Sequence, residues 1–223
     1  VGYQLKGDSY RDLGRPADAL AAYQSGVDNT PGSLALVLNY YTLLQAEQGP
    51  GKALTFLEDI VRRQAETVSF TLLRVLAAGY TEAGEPVKSI ALHETLLKSR
   101  PNDPILLNNL ALAYFENGDD RARDVAQKAY DLAPDNYAVM DTLGWILVNA
   151  GDASVGVTLL RNALARSANV PDIRYHYAVA LNRNGQTKTA ARELQSLLSD
   201  GQPFTEREAA RALYEQLRGS GSN

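Results

Sequence analysis

Two histidines, His93 and His176, and two pairs of adjacent carboxylates, Glu58-Asp59 and Asp119-Asp120, are the side chains best suited by type to acid–base or metal chemistry. Their spacing does not support it. Metal-binding helices set ligands one turn apart, as in H-E-x-x-H, and no such pattern occurs here. Adjacent residues on a helix point away from each other, so the paired carboxylates read as solvated charges or turn caps. His93 falls on a helix face that reads as core. His176, in "RYHYAV", reads as a satisfied or semi-exposed ring beside two tyrosines. There is no GxxxxGK[ST] or GxGxxG phosphate cradle. The chain has no cysteine, which excludes disulfides, thiolate zinc sites and cysteine nucleophiles. The expectation is a protein that is not an enzyme, with no cofactor and no metal.

The elements that carry these residues read as helices throughout. In "LNNLALAYFENGDD" the apolar Leu107, Leu110, Ala111 and Tyr114 recur at helical spacing, and a Gly118-Asp119 turn follows. One such helix cannot bury its apolar face alone. No β-hairpin signal or β-branched alternation appears. The formal charge of −4 gives no electrostatic case for nucleic acid, and Arg62-Arg63 is too short a basic run to make one. No apolar run approaches the ~18 residues needed to span a bilayer. Val1 opens directly in helical sequence, without a charged leader segment.

Glycines reveal a repeat. Gly14, Gly49, Gly84, Gly118, Gly151 and Gly185 recur at a nearly constant interval along the chain. Four residues before most of them stands a bulky side chain: Tyr10, Tyr80, Tyr114, Leu147, Leu181. Four or five after comes a small one: Ala19, Ala53, Ser89, Ala122, Gly156, Ala190. Prolines close three units, at Pro31, Pro101 and Pro134. A period of this length, helix followed by turn followed by helix, is the signature of stacked helical hairpins.

This pattern resembles the tetratricopeptide repeat (TPR) family, whose helix A carries a large residue, Leu-Gly/Ala and Tyr, and whose helix B carries small residues and a closing Pro. Leu107, Leu110-Ala111, Tyr114, Ala122, Ala126, Ala129 and Pro134 match it in the fourth unit. Met140, Leu143-Gly144, Leu147, Leu160 and Ala163 match it in the fifth, and Tyr3, Gly7, Tyr10, Ala19, Tyr23, Gly26 and Pro31 in the first. The resemblance implies an all-α, right-handed superhelix (an α-solenoid) of six repeats, at about 1–33, 34–69, 70–103, 104–136, 137–170 and 171–201. A capping helix is expected at 202–218, with Thr205 as N-cap, Glu206 and Glu208 in its first turn, and Phe204, Ala209, Ala212, Leu213 and Leu217 as its apolar stripe. Residues 219–223 read as a flexible tail. The second unit departs from the pattern: Gln48 stands where the turn glycine is due, and "VRRQAETVSF" lacks a closing Pro. The start lacks a cap, so the chain is expected to be the C-terminal piece of a longer array.

Over about the last 120 residues the chain is similar to the C-terminal region of TPR lipoproteins that accompany bacterial PEP-CTERM/exosortase systems. The stretches that carry this are "LNNLALAYFENGDDRARDVAQKAYDLAPDN", "VMDTLGWILVNAGD" and "IRYHYAVALNRNGQTKTAARELQSLLSDGQPFTEREAARALYEQL". The implied setting is the periplasm or envelope of a Gram-negative cell, with a lipid anchor outside this fragment as the only membrane attachment. The implied work is scaffolding in exopolysaccharide production or export, or in sorting of exported proteins.

In the TPR family the helices A line the concave groove. By that resemblance the partner-binding candidates are Arg74, Asn108, Leu112, Phe115, Asp141, Trp145, Asn149, Tyr175, Asn182 and Arg183. Val148 and Val179 share those positions. Aromatics with amides suit an extended protein or peptide ligand, whose backbone needs donors and acceptors; they also suit a glycan face. Trp145, beside Gly144, reads more as packing than as ligand contact, and Arg183 more as a solvated residue than as an anchor. The clamp that holds chaperone tails needs lysines where Arg74, Asp141 and Thr142 stand, which argues against that partner. The alternatives are a cytoplasmic TPR adaptor or regulator, or the TPR arm of a larger enzyme such as a glycosyltransferase.

Overall fold

A computed structural model describes residues 2–65, 67–167 and 170–220. Among the described residues there are thirteen helices and no strand. What was expected of Val1, and of a tail at 221–223, lies outside them. The chain divides into two compact units, residues 1–99 and 100–223.

The first unit holds three helix pairs: α1 (Gly2–Asp12) with α2 (Pro16–Asn29), α3 (Leu34–Gln48) with α4 (Pro50–Arg63), and α5 (Phe70–Glu82) with α6 (Pro86–Ser99). The second holds α7 (Pro104–Glu116) with α8 (Ala122–Leu132), α9 (Tyr137–Asn149) with α10 (Ala153–Arg166), and α11 (Pro171–Arg183) with α12 (Thr187–Ser199). A final helix, α13 (Arg207–Ser220), packs on α12. Among the described residues no helix is long and apolar enough to cross a membrane.

Local chemistry sets the boundaries. Pro16, Pro50, Pro86, Pro104 and Pro171 open their helices, where a missing N–H costs nothing. Ser69 caps α5 by accepting from the Leu72 amide, Asp103 caps α7 through the amides of Ile105 and Leu106, and Asn136 caps α9 through Ala138 and Val139. Within each pair the turn is built on a glycine. At Gly118, φ is +68°, and the reversal lets the Asp119 amide reach back 2.9 Å to the Tyr114 carbonyl. A side chain at that φ would be strained, so glycine is the residue that satisfies the helix end. The same backward bond joins Arg15 to Tyr10, Glu85 to Tyr80, Asp152 to Leu147 and Gln186 to Leu181. The bulky residue four before each glycine is thus the one whose carbonyl is taken. Three of these tyrosines also carry a cation over the ring, Arg15 at 4.8 Å from Tyr10, Lys88 at 5.3 Å from Tyr80 and Arg121 at 4.1 Å from Tyr114. The second helix pair is the exception: Gly49 alone separates α3 from α4, and its amide makes a plain helical bond to Gln45.

The small residues allow helices of a pair to approach. Ala19, Ala53, Ser89 and Ala190 are fully buried. The first core centres on Tyr23, Val37, Leu57 and Leu72, the second on Leu160, Leu181 and Leu194. His93 is fully buried, as its helix position suggested. Its Nδ1 lies 3.0 Å from the Ser89 carbonyl, which can only accept, so Nδ1 carries the proton. Nε2 is left buried without a partner, and burial lowers the pKa of the ring.

The C-terminal expectation needs correcting. The last helix begins at Arg207, so Thr205 is not its N-cap and Glu206 is not in its first turn. Gly219 and Ser220 are helical rather than tail. The inward stripe is Ala210, Leu213, Tyr214 and Leu217, while Ala209 and Ala212 are exposed. Ala210, Leu213, Tyr214 and Leu217 are spaced three, one and three apart, which keeps them on one face, whereas Ala209 lies about 100° from Ala210 and Ala212 about 100° from Leu213.

Candidate functional site

Arg74 lies half-buried on α5 in the first unit. The other nine candidates lie in the second unit, on α7, α9 and α11. α9 packs against both α7 and α11, so the three helices share one face. The repeat makes their positions equivalent: Asn108, Asp141 and Tyr175 correspond, as do Leu112 and Trp145, and Asn149 and Arg183.

The structure draws the α9 and α11 members together. The Asp141 carboxylate accepts from His176 Nδ1 at 2.7 Å, which fixes the proton on that nitrogen. The Trp145 ring stacks on the imidazole with centroids 4.2 Å apart and planes 18° apart. Tyr175 lies 6.3 Å from Trp145, tilted. His176 is therefore a satisfied, buried ring and the centre of the cluster, not an onlooker. Trp145 is half-buried, one face committed to packing. Arg183 is exposed to solvent, and it also donates to the Val148 carbonyl at 3.0 Å and to Asn149 Oδ1 at 2.9 Å, tying α11 to the end of α9. Asn182 is half-buried beside the Thr187 hydroxyl. Val148 and Val179 are buried and unavailable to a partner.

α7 contributes more loosely. Asn108 is 8% exposed and its Oδ1 has no hydrogen-bond partner. Leu112 is half-buried. Phe115 and Asn149 line a hollow of about 350 Å³ together with Asp119, Arg123 and Ile146.

Glu206 is the residue that spacing could not find. The loop after α12 folds over the start of α11, where the Thr205 amide donates to Asp172. This delivers Glu206 Oε1 to 4.0 Å from His176 Nε2, with Oε2 buried and unpartnered. Burial first, then the Asp172 carboxyl, pushes the pKa of Glu206 up to about 7, against the pull of His176. Asp141, His176 and Glu206 follow one another at about the length of a whole repeat, beyond the reach of any motif carried on a single helix. Among the described residues no three histidine or carboxylate groups are placed to hold a metal ion. In the first unit a hollow of about 550 Å³, lined by Gln24, Tyr40, Lys52 and Phe56 among others, also went unread in the sequence.

The raised Glu206 pKa has a testable sign. A carboxyl that holds its proton more tightly when folded contributes stability below its ordinary pKa of 4.5, and loses it as pH rises through about 7. Amide exchange in α13, corrected for intrinsic rates, is expected to be slower at pH 5 than at pH 7.5. Glu206→Gln should flatten the difference; equal protection at both pH values in the parent chain would remove the argument.

The class is thus a helical-hairpin repeat protein with a half-buried aromatic and amide face. A tetratricopeptide repeat model matches residues 80–137 and 142–204, more than half of the chain. The chain belongs to the tetratricopeptide repeat family, whose members act as protein–protein interaction scaffolds. A tetratricopeptide repeat protein from Parabacteroides merdae ATCC 43184 superposes with a TM-score of 0.73 at 16% identity, over 97% of this chain and 86% of that one. A chain of the crystal structure of the APC/C hetero-tetramer Cut9–Hcn1 superposes with a TM-score of 0.74 at 16% identity, over 96% of this chain and 42% of that one. These likenesses show the fold, an all-α TPR superhelix. In sequence the chain is 26% identical to the photosystem I assembly protein Ycf3 of Cyanophora paradoxa, over 58% of this chain and 74% of that protein.

Proposed function

We propose that this chain is a non-catalytic scaffold whose α7, α9 and α11 face holds an extended segment of a protein partner. The observation that carries the reading is the coexistence of half-buried rings with unsatisfied or surface amides: Phe115, Trp145 and Tyr175 beside Asn108 and Asn149. Rings supply contact area at low entropic cost, and amides answer the donors and acceptors of an extended backbone. The same chemistry accommodates a sugar face, which makes a glycan the second ligand to try.

The setting we propose is the bacterial envelope, in exopolysaccharide production or export or in sorting of exported proteins, with membrane attachment supplied by a lipid anchor outside this sequence. It rests on the similarity of the last 120 or so residues to lipoproteins of that kind. The likeness to a photosystem assembly protein favours a second reading, an assembly factor that holds subunits of a larger complex together. Fractionation of the native protein separates them: an acylated membrane-fraction product supports the envelope, and a soluble product without a lipid turns the search to cytoplasmic partners.

The binding face has its own test. Phe115→Ala with Tyr175→Ala is expected to abolish capture of a crosslinked partner, a loss of about 2 kcal/mol or more if these are anchor residues. Far-UV circular dichroism should stay helical, since neither ring is fully buried. Unchanged capture would take the face out of consideration.

A further inference from the structure

Charge on the second unit is unevenly laid out. α7 and α9 carry no basic residue; their only charges are Glu116 and Asp141. On α11 and the loop before α13 stand Asp172 and Glu206. The cations near them are already committed. Arg174 pairs with Asp200 and Ser196 of α12 and its end. Arg183 ties down Val148 and Asn149, and Arg207 donates to the carbonyls of Gln202 and Leu198. None of these three guanidinium groups reaches Asp141, Asp172 or Glu206. Among the described residues, Asp141 and Glu206 therefore flank the His176 ring on which Trp145 stacks, with Asp172 beside Glu206, and no guanidinium group is paired with any of the three.

Two buried acceptors sharpen this. Glu206 Oε2 is buried without a donor, its carboxyl set beside that of Asp172, and Oδ1 of Asn108, at the position of α7 equivalent to Asp141, has no hydrogen-bond partner. A buried acceptor left unmade costs free energy that a ligand donor recovers. Resting on the binding reading above, we propose that Trp145, Tyr175, Asp172 and Glu206 form a subsite for an arginine or lysine side chain of the peptide partner. The cation lies against the aromatic rings and donates to the Glu206 carboxylate, while Asn108 Oδ1 accepts from a donor on the same peptide. A guanidinium matches both demands, since it stacks on rings and forks onto carboxylates. Trp145 is the single tryptophan of the chain, so its emission reports the subsite directly.

The test selects random twelve-residue peptides by display on the full chain and, in parallel, on Phe115→Ala/Tyr175→Ala. The result expected is strong enrichment of arginine or lysine among peptides that the double variant fails to retain. A selected peptide, made synthetically, should change Trp145 emission. Its affinity should fall about tenfold when its basic residue is replaced by norleucine, and by as much in Glu206→Gln or Asp172→Asn, each verified as folded by circular dichroism. Peptides without basic enrichment that still need Phe115 and Tyr175 would overturn the cation subsite and leave the binding face standing. Basic peptides indifferent to both carboxylate variants would do the same. No selected peptide, or the same peptides on the double variant, would overturn both.

Discussion

Gly156→Leu is expected to destabilise the second unit by about 3 kcal/mol, lowering its thermal midpoint by about 6–12 °C. Gly156 sits where α10 crosses α9. A Cβ there would stand 2.3 Å from Val148 Cγ2 and 2.9 Å from the backbone carbonyl oxygen of Gly144. Val148 can rotate, but a carbonyl inside a helix cannot, so even alanine forces the backbones apart. Leucine adds three more carbons to the same slot. The α9 side is equally tight, because a Cβ on Gly144 would meet Leu160 Cγ at 2.9 Å. Parting α10 from α9 also shifts the helix that carries Asp141 and Trp145, so Trp145 emission should change alongside the loss of stability. Val155→Leu is the control: Val155 is half exposed on the same helix, and the change should stay within about 0.5 kcal/mol. A Gly156→Leu protein with an unaltered midpoint would mean the helices are not held at this distance in solution.

Tyr23→Ala should cost the first unit about 3–5 kcal/mol, in the range of large aromatic-to-alanine changes. The Tyr23 ring is fully buried and fills the slot left by Gly7, whose added Cβ would come within 2.2 Å of Tyr23 Cε1. Its hydroxyl donates to Asp8 Oδ1 at 2.5 Å, and burial followed by that carboxylate pushes its pKa up to about 12. Two contributions are therefore folded into one side chain, and Tyr23→Phe separates them. Phenylalanine keeps the ring in the slot and removes only the hydrogen bond. Asp8 is partly exposed and recovers that bond from water, so the loss should be about 1 kcal/mol. Urea unfolding followed by helical signal measures both variants. If phenylalanine costs as much as alanine, the hydrogen bond and not the packing holds α1 on α2.

The repeat is legible along the chain because every hairpin has to solve the same packing problem. Each turns through a glycine of positive φ and buries a small residue where its helices cross, and every one but α3–α4 places a bulky residue one turn before the reversal. These demands recur along the chain, so Gly118, Ala122 and Tyr114 announce themselves by spacing alone. The equivalence of Asn108, Asp141 and Tyr175 follows from the same period, which is why the face was legible in outline. Its chemistry was not. Asp141 meets His176, Trp145 lies flat on that ring, and Glu206 arrives from a loop. The partners in each of these contacts stand about a whole repeat apart in the chain. Only packing of α9 against α11, and a final helix that begins later than its capping residues suggested, brings them together. Val148 and Val179 show the converse: a period assigns a position to a face, but whether the side chain is open or covered depends on the neighbouring helix. Periodicity carries information about what every repeat must do alike, and the site is made of what the last two repeats and their closing loop do differently.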